Sequence, residues 1–316
     1  MRIVCLGDTH ITCDNPASGS RLDVVKDTIT EKMRFVIKFA EQIQAPIIQA
    51  GDLFDSPRSW SALDLAVNLL IRECKQSPDA HIDNSTKFFT VFGQHDTSMY
   101  NESTRHTTSL GILSSCDLVG VAQPDSYYDL GGSTHLYGCS YGQAPCAPRA
   151  LAGTKILVVH DSIARKPEYP KQEYKEASQY LKNNPGYDLI VCGDIHQRFL
   201  WVGEDGRIIL NAGPLLRLEA SEAMIKHKPG FFVVDTKDSS VEWVEVPHKP
   251  ASEVLSRRHL EKAQMTGAIL EEFVEAVKSE EVKGTEFMEN LLEFMDKAGL
   301  MPAVKDRITG LISKEK

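Results

Sequence analysis

Five short stretches of this sequence each follow an apolar run with side chains that bind metals or move protons. "LGDTH" supplies Asp8 and His10, "QAGDLFD" supplies Asp52 and Asp55, and "FGQHD" supplies Gln94, His95 and Asp96. "VVHD" supplies His160 and Asp161, and "CGDIH" supplies Asp194 and His196. In the first stretch, alternate residues of an extended chain put Asp8 and His10 on one side. Singly, each stretch has an ordinary reading. A D-x-H triplet arises by chance in about one chain of two this size. Asp55 and Asp161 could be helix caps or loop residues, and His160 a hydrogen-bonded core histidine. Gathered in one place, the same groups mean something else. That many carboxylates without a cation would cost on the order of several kcal/mol in repulsion and lost solvation. A divalent metal removes the cost.

The elements between these stretches are of the kind that would gather them. "RIVCLGD", "PIIQAGD", "KFFTVFG", "THLYGCS", "KILVVHD" and "DLIVCGD" read as buried strands. Residues 22–44 and 59–76 carry apolar side chains at three- and four-residue spacing, which predicts helices. A further helix is expected near 170–183. "FLWVGEDGRIIL" reads as a hairpin turning at Asp205-Gly206, and "GFFVVDT" with "VEWVEVP" as another strand pair. Alternation of strand and helix followed by hairpins predicts an α/β fold: a four-layer sandwich of two packed mixed β-sheets flanked by helices. Sites in open α/β sheets gather at the carboxyl ends of strands, which is where all five stretches fall. The prolines of "VPHKPASEV" mark a boundary, giving a domain over 1–248 and a helical region over 249–316. That region is either an appendage with its own core or a docking arm.

Composition narrows the class. Hydrophobic residues at 42% and charged residues at 25% of 316 are those of a soluble globular protein. No apolar run approaches the roughly 20 residues that span a bilayer, and "MRIVCLGDTH" has too short an apolar stretch for a signal peptide. The expectation is a cytoplasmic protein, in a bacterial or infected-host cytosol, with no membrane association. The seven cysteines form no C-x-x-C pair and read as buried reduced thiols. A net charge of −9 argues against a broadly basic nucleic-acid binder. Acidic metal ligands count as negative until metal binds, however, so a local basic surface is compatible with the total.

In their order, "GDTH", "GDLFD", "GQHD", "VVHD" and "GDIH" resemble the five motifs of the calcineurin-like metallophosphoesterases, over about residues 1–235. Within that family the chain looks most like SbcD/Mre11-type nuclease subunits, the phage-encoded variety in particular. "GDLFDSPR", "NAGPLLR" and the C-terminal extension carry that finer likeness. The resemblance implies a metal-dependent DNA exonuclease or endonuclease working in recombination, repair or replication. It implies two divalent ions, Mn²⁺ foremost with Mg²⁺ as the other choice. Asp8, His10, Asp52 and His196 would hold the first ion, and Asp52, Gln94, His160 and Asp194 the second. His95 would be the catalytic histidine, Asp96 its orienting partner, and Asp55 a support behind the ligands. Implied partners are DNA, an SMC-like ATPase of the Rad50/SbcC type bound through 249–316, and a second copy of the chain. The sequence lacks G-x-x-x-x-G-K-[ST], so any ATP hydrolysis by a P-loop belongs to another chain. Arg58, Arg105, Arg198 and Arg217 lie near the motif loops and could contact DNA phosphates or form surface salt bridges. His106 is in the same position.

Two positions depart from the family pattern, and both fall on the second ion. Gln94 replaces an asparagine and Asp194 replaces a histidine. Decay of the site would explain this, but both replacements can still ligate, so retained binding is the expectation. The amide arm is one methylene longer and the carboxylate is shorter than the imidazole, which suggests an ion displaced towards Asp194. Exchange of nitrogen for anionic oxygen favours a hard ion such as Mn²⁺ or Mg²⁺. Two other functions remain open: a phosphoesterase for a small molecule or phosphoprotein, and a non-catalytic subunit with a degenerate second site.

Overall fold

A computed structural model describes residues 1–74, 87–149, 151–167, 172–258, 291–293, 295–296 and 305. In chain order the first half holds β1 (Arg2–Leu6), α1 (Val25–Gln42), β2 (Ile47–Gln49), α2 (Trp60–Cys74), β3 (Phe88–Thr90), α3 (Ser109–Ser115), β4 (Gly120–Val121), β5 (Tyr128–Asp129), β6 (Thr134–Cys139) and β7 (Thr154–Val159). The second half holds β8 (Ile163–Ala164), β9 (Lys175–Glu176), α4 (Ala177–Asn183), β10 (Leu189–Cys192), β11 (Phe199–Val202), β12 (Ile208–Asn211), α5 (Glu222–Lys226), β13 (Gly230–Asp235), β14 (Ser240–Glu245) and α6 (Ala251–Val254).

Two six-stranded sheets form, in the orders β14-β13-β1-β2-β3-β4 and β11-β12-β10-β7-β6-β5. Both are mixed. In the first, β1, β2, β3 and β4 run parallel and β13 and β14 join antiparallel. In the second, β6, β7, β10 and β12 run parallel, with β5 and β11 antiparallel at the edges. The hairpin read at Asp205-Gly206 is the antiparallel β11–β12 pair.

Strand alternation explains the layering. Ile3, Cys5, Ile48 and Phe89 of the first sheet pack against Leu136, Ile156, Val158 and Val191 of the second. Their neighbours Val4 and Leu6 turn the other way, onto α1 and α2, while Leu157, Val159 and Ile190 turn onto α4. Both faces of the central strands are therefore buried, which is why they read as unbroken apolar runs. The result is the four-layer arrangement of two mixed sheets between helices. Buried Cys5 and Cys192 are free thiols inside these layers.

Helix α1 buries Val25, Ile29, Lys32, Met33, Val36, Ile37 and Ala40, a stripe at three- and four-residue spacing. Its first N–H donates to Asn15 Oδ1 at 2.9 Å. Lys32 is the polar member of the stripe. Its ammonium donates to the Leu215 carbonyl at 2.7 Å, tying α1 to the "NAGPLLR" segment. Burial, then the Arg217 and Arg21 charges, bring its pKa down to about 7. Helix α4 starts at Ala177, later than the expected 170, because Lys175–Glu176 pairs as a strand with Ile163–Ala164. The Glu176 side chain then caps α4 by accepting from Gln179 N.

The chain divides into two compact units, Met1–Ala17 with Arg21–Leu255, and Ser18–Ser20 with Ser256–Lys316. The first unit runs past the boundary expected at residue 248. The short α6 helix continues it, packing Val254 and Leu255 on Ala220 and Ile225. The helical reading of the C-terminal region falls mostly outside the described residues; 291–293, 295–296 and 305 are helical. Among the described residues no helix is long and apolar enough to cross a membrane.

Phe231 is fully buried between the first sheet and α1, with its ring 5.1 Å from Phe39 and 6.5 Å from Phe35. Phe231→Ala is expected to lower unfolding free energy by about 3–5 kcal/mol in a denaturant titration. Val202→Ala, at a position 53% exposed, should change it by no more than about 0.5 kcal/mol.

Candidate metal centre

All five motif stretches reach one end of the paired sheets, on the loops that follow β1, β2, β3, β7 and β10. Asp52 stands at the centre. One triad, His10, Asp52 and His95, and a second, Asp8, Asp52 and His160, each bring their ligand atoms within 4.8 Å of one another. Asp52 is common to both. The resemblance had placed Asp8 with His10, and distances show Asp8 between the sets. Its Oδ1 lies 3.6 Å from His160 Nδ1 and its Oδ2 lies 3.6 Å from His196 Nε2. His196 Nε2 in turn faces His10 Nε2 at 3.1 Å.

The loops have to be strained and bare to achieve this. His10, Asp52 and Asp194 all have positive φ, at 46°, 49° and 75°, a region that side chains other than glycine rarely adopt outside functional sites. Two glycines are required by close approach. A Cβ on Gly93 would lie 2.1 Å from Asp52 Oδ1, and one on Gly193 would lie 2.6 Å from Asp8 Oδ1.

Three buried polar groups brace the loops. Gln49, at the end of β2, donates to the carbonyls of Gly7 and Gly51 and accepts from Gly51 N and Thr90 Oγ1. Asp96 accepts from the backbone N–H groups of Leu53, Phe54 and Gly93 at 3.2, 3.0 and 3.0 Å. It thus locks the loop carrying His95 onto the loop carrying Asp52. Burial and the Asp52 charge push Asp96 up to about 7 against those three donors. Asn211 donates to the Ile195 carbonyl and accepts from Gly213 N, holding the loop of Asp194 and His196.

The expectation that Asp96 orients the His95 ring needs correction, since its carboxylate is spent on backbone donors. The ring is oriented by the Asp55 carbonyl, which accepts from His95 Nδ1 at 2.9 Å. That contact leaves His95 Nε2 for a substrate, and His95 is exposed. The Asp55 carboxylate lies 3.6 Å from His10 Nδ1, behind the ligands. Burial is the main influence raising its pKa.

Charge distribution follows from this packing. His160 donates from Nδ1 to the Ala50 carbonyl and from Nε2 to Gln94 Oε1, both at 2.6 Å. Both partners are acceptors, an arrangement that favours the charged form of the ring. Burial opposes that charge, but Asp52, Asp8 and Asp194 outweigh burial and raise its pKa to about 10. Burial would raise Asp52 as well, yet the facing His160 draws it down to about 2. Burial raises Asp8 to about 6, against His160 and His196. Burial and then His196 depress His10 to about 3, leaving a neutral ring with a lone pair to give.

The donor set fits divalent cations. Asp8 Oδ2 and His10 Nδ1 are buried without a hydrogen-bond partner, and two imidazole nitrogens confront each other at His10 and His196. On the other side Asp52, Gln94, His160 and Asp194 offer two carboxylates, an amide oxygen and an imidazole, a set suited to hard ions. The two departures from the family pattern touch: Gln94 Nε2 donates to Asp194 Oδ1 at 2.6 Å. Ser162, two residues after His160, donates to Asp194 Oδ2. Ser162 and Gln49 were not singled out from sequence. A buried glutamine at a strand end, one residue before the "AGD" turn, was the available signal for Gln49.

The arginine candidates divide. Arg217 is buried, and its guanidinium donates to the carbonyls of His227 and Lys249, so it braces the fold and offers nothing to a phosphate. Arg105 pairs with Glu102 at 2.5 Å and stacks over Phe92. Arg198 lies over the Trp243 ring at 4.3 Å. Arg58 is exposed and donates to Thr107.

A family profile described as calcineurin-like phosphoesterase matches residues 1–198. No curated protein sequence matches the chain. Among solved structures, the chain is similar to an archaeal phosphodiesterase at 11% identity, over 78% of this chain and 100% of that one, with a TM-score of 0.40. It is similar to a 5'-nucleotidase from Candida albicans at 13% identity, over 77% of this chain and 51% of that one, with a TM-score of 0.46. A dimetal phosphatase from Danio rerio is 11% identical, over 74% and 91% of the respective chains, with a TM-score of 0.45.

Gly93→Ala should weaken Mn²⁺ binding by about 10- to 100-fold, because the added methyl displaces Asp52; calorimetric titration reads this directly. Gln94→Asn and Asp194→His should each disturb Mn²⁺ binding more than the double substitution does. A double-mutant cycle on the binding free energies should show a coupling of about 0.5–3 kcal/mol, and additive effects would contradict the contact.

Proposed function

Because this chain belongs to the calcineurin-like phosphoesterase family, we propose that it is a metal-dependent phosphodiesterase acting on DNA, of the kind found in SbcD/Mre11-type nuclease subunits. The observation that carries the reading is the Asp52-centred cluster with exposed His95 at its mouth. Ions held by Asp8, His10, Asp52 and His196, and by Asp52, Gln94, His160 and Asp194, would supply a nucleophilic water at neutral pH and neutralise a phosphodiester's charge. Mn²⁺ suits the oxygen-rich donors.

The protein's own part is positioning and proton transfer. His95 N–H donates to Asp52 Oδ1 at 2.8 Å, so the histidine and the shared carboxylate keep a fixed relation. With Nδ1 engaged by the Asp55 carbonyl, Nε2 is left to stabilise charge on the scissile phosphate or to protonate the leaving oxygen. His196 and Gln94 are only partly buried, so the centre opens to the surface and admits a polymer. Arg58 and Arg198 are the exposed cations among the four candidates; Arg198 is held over the Trp243 ring, and Arg58 is the one assigned to a DNA phosphate. The motif order, "GDLFDSPR" and "NAGPLLR" support the DNA assignment, and an SMC-like ATPase docking on 249–316, with a second copy of the chain, completes the proposed assembly.

One observation favours a second reading. Gln94, Asp194, Ser162 and His160 satisfy one another by hydrogen bonds, which would suit a subunit that holds a single ion and does not cleave. The deciding experiment counts Mn²⁺ ions by calorimetry and assays hydrolysis of linear duplex DNA. Two ions and Mn²⁺-dependent cleavage are expected. His95→Ala should lower kcat by about 10²- to 10⁴-fold with the ion count unchanged. One ion and no cleavage in the wild type would sink the nuclease reading in favour of the second.

A further inference from the structure

Beside the metal centre stand apolar side chains that the chemistry above does not use. Met99 is 93% exposed, Tyr100 70% and Tyr141 42%. Met99 and Tyr100 are consecutive and both left-handed, at φ 52° and 57°. Such a conformation is costly for two adjacent side-chain-bearing residues, and here it presents apolar groups to water. From His160 outwards the rings form a series. Tyr141 lies edge-on to the imidazole with centroids 6.4 Å apart, and Tyr100 lies 6.2 Å beyond Tyr141, tilted by 46°.

The ring pair rests on a fixed support. Tyr141 N donates to the Phe92 carbonyl at 2.8 Å, one residue before the "GQHD" turn. Phe92 N donates to Ser140 Oγ, and Ser140 N donates to Gln143 Oε1. Gln143 Nε2 then donates to Glu102 Oε1 at 2.7 Å, and Glu102 also holds Arg105, which packs on Phe92. The loop of Tyr141 and the segment of Tyr100 are thus joined to each other and to the strand that leads to His95. Exposed aromatics held this firmly, one ring away from a metal-ligating imidazole, suit a planar partner. Tilted by 46° with centroids 6.2 Å apart, the two rings pack on each other and offer their outward faces, not a slot between them, to a base.

We propose that Tyr100 and Tyr141 form a stacking platform for a nucleobase next to the scissile phosphate, with Met99 as its apolar lip. The proposal rests on the phosphodiesterase reading and adds what the site recognises beyond the phosphate. Every base has a π-face, so the platform selects for the presence of a base with little regard to its identity. It also requires that base to be unpaired, which directs the enzyme to single strands, frayed ends or flaps.

Tyr100 touches Tyr141 and not His160, so it is the position to vary. Equilibrium binding of the full chain is measured in chelator, which prevents turnover, with a short fluorescent oligothymidylate and with an abasic oligonucleotide of equal length. The wild type is expected to bind the base-bearing strand about 5- to 100-fold more tightly, and Tyr100→Ala to bring the two affinities within about twofold. Tyr100→Trp should retain the preference. Equal binding of both strands by the wild type, no binding of oligothymidylate, or an undiminished preference in Tyr100→Ala would each overturn the platform. Cleavage of the oligothymidylate in Mn²⁺ is scored separately. A base preference without cleavage defeats the nuclease reading and leaves the platform, and cleavage without a base preference does the reverse.

Discussion

Buried like charge is the constraint on which the rest of this structure depends. Asp8 and Asp52 are almost fully removed from water, Asp194 lies beside them, and no arginine or lysine is paired with any of the three among the described residues. The His160 ring lies within 3.9 Å of an oxygen of each carboxylate, and its charged form would offset them. Burial of so much acid is tolerable only with positive charge at the centre, and the layered fold provides the rigidity that keeps the groups from swinging out to solvent.

That rigidity is assembled from backbone features more than from side-chain packing. The motif loops leave parallel strands at one end of two stacked sheets, so their glycines must let neighbouring loops pass within van der Waals contact. Left-handed His10, Asp52 and Asp194 turn their side chains inward at a conformational cost. Gln49 binds the loop after β1 to the loop after β2, while Lys32 and Asn211 tie helix α1 and the "NAGPLLR" segment into the same end of the molecule.

Much of this was readable from residue order. The central strands bury both faces, so they announce themselves as apolar runs, and β1, β2, β3 and β10 each lead to a glycine followed by a candidate ligand. Helix α1 is plain from its stripe of apolar positions. What could not be read was whatever depends on contacts across the sheets. Arg217 looks like a loop cation until its three hydrogen bonds to two backbone carbonyls are found. Asp96 follows His95 directly and invites pairing with it, yet the turn sends its carboxylate back onto the loop of Asp52. Gln94 and Asp194 are a hundred residues apart, and only the fold brings their side chains into contact. Helix α4 was placed too early because the two-residue β9 strand carries no periodic signal.

The Asp96 carboxylate joins two of the motif turns. By accepting from Leu53, Phe54 and Gly93, it makes the turn that carries His95 and the turn that carries Asp52 a single mechanical piece. Displacing the His95 turn would break those hydrogen bonds or carry the Asp52 turn with it. On the proposed function, control would then fall on the access of substrate to the centre and not on its assembly.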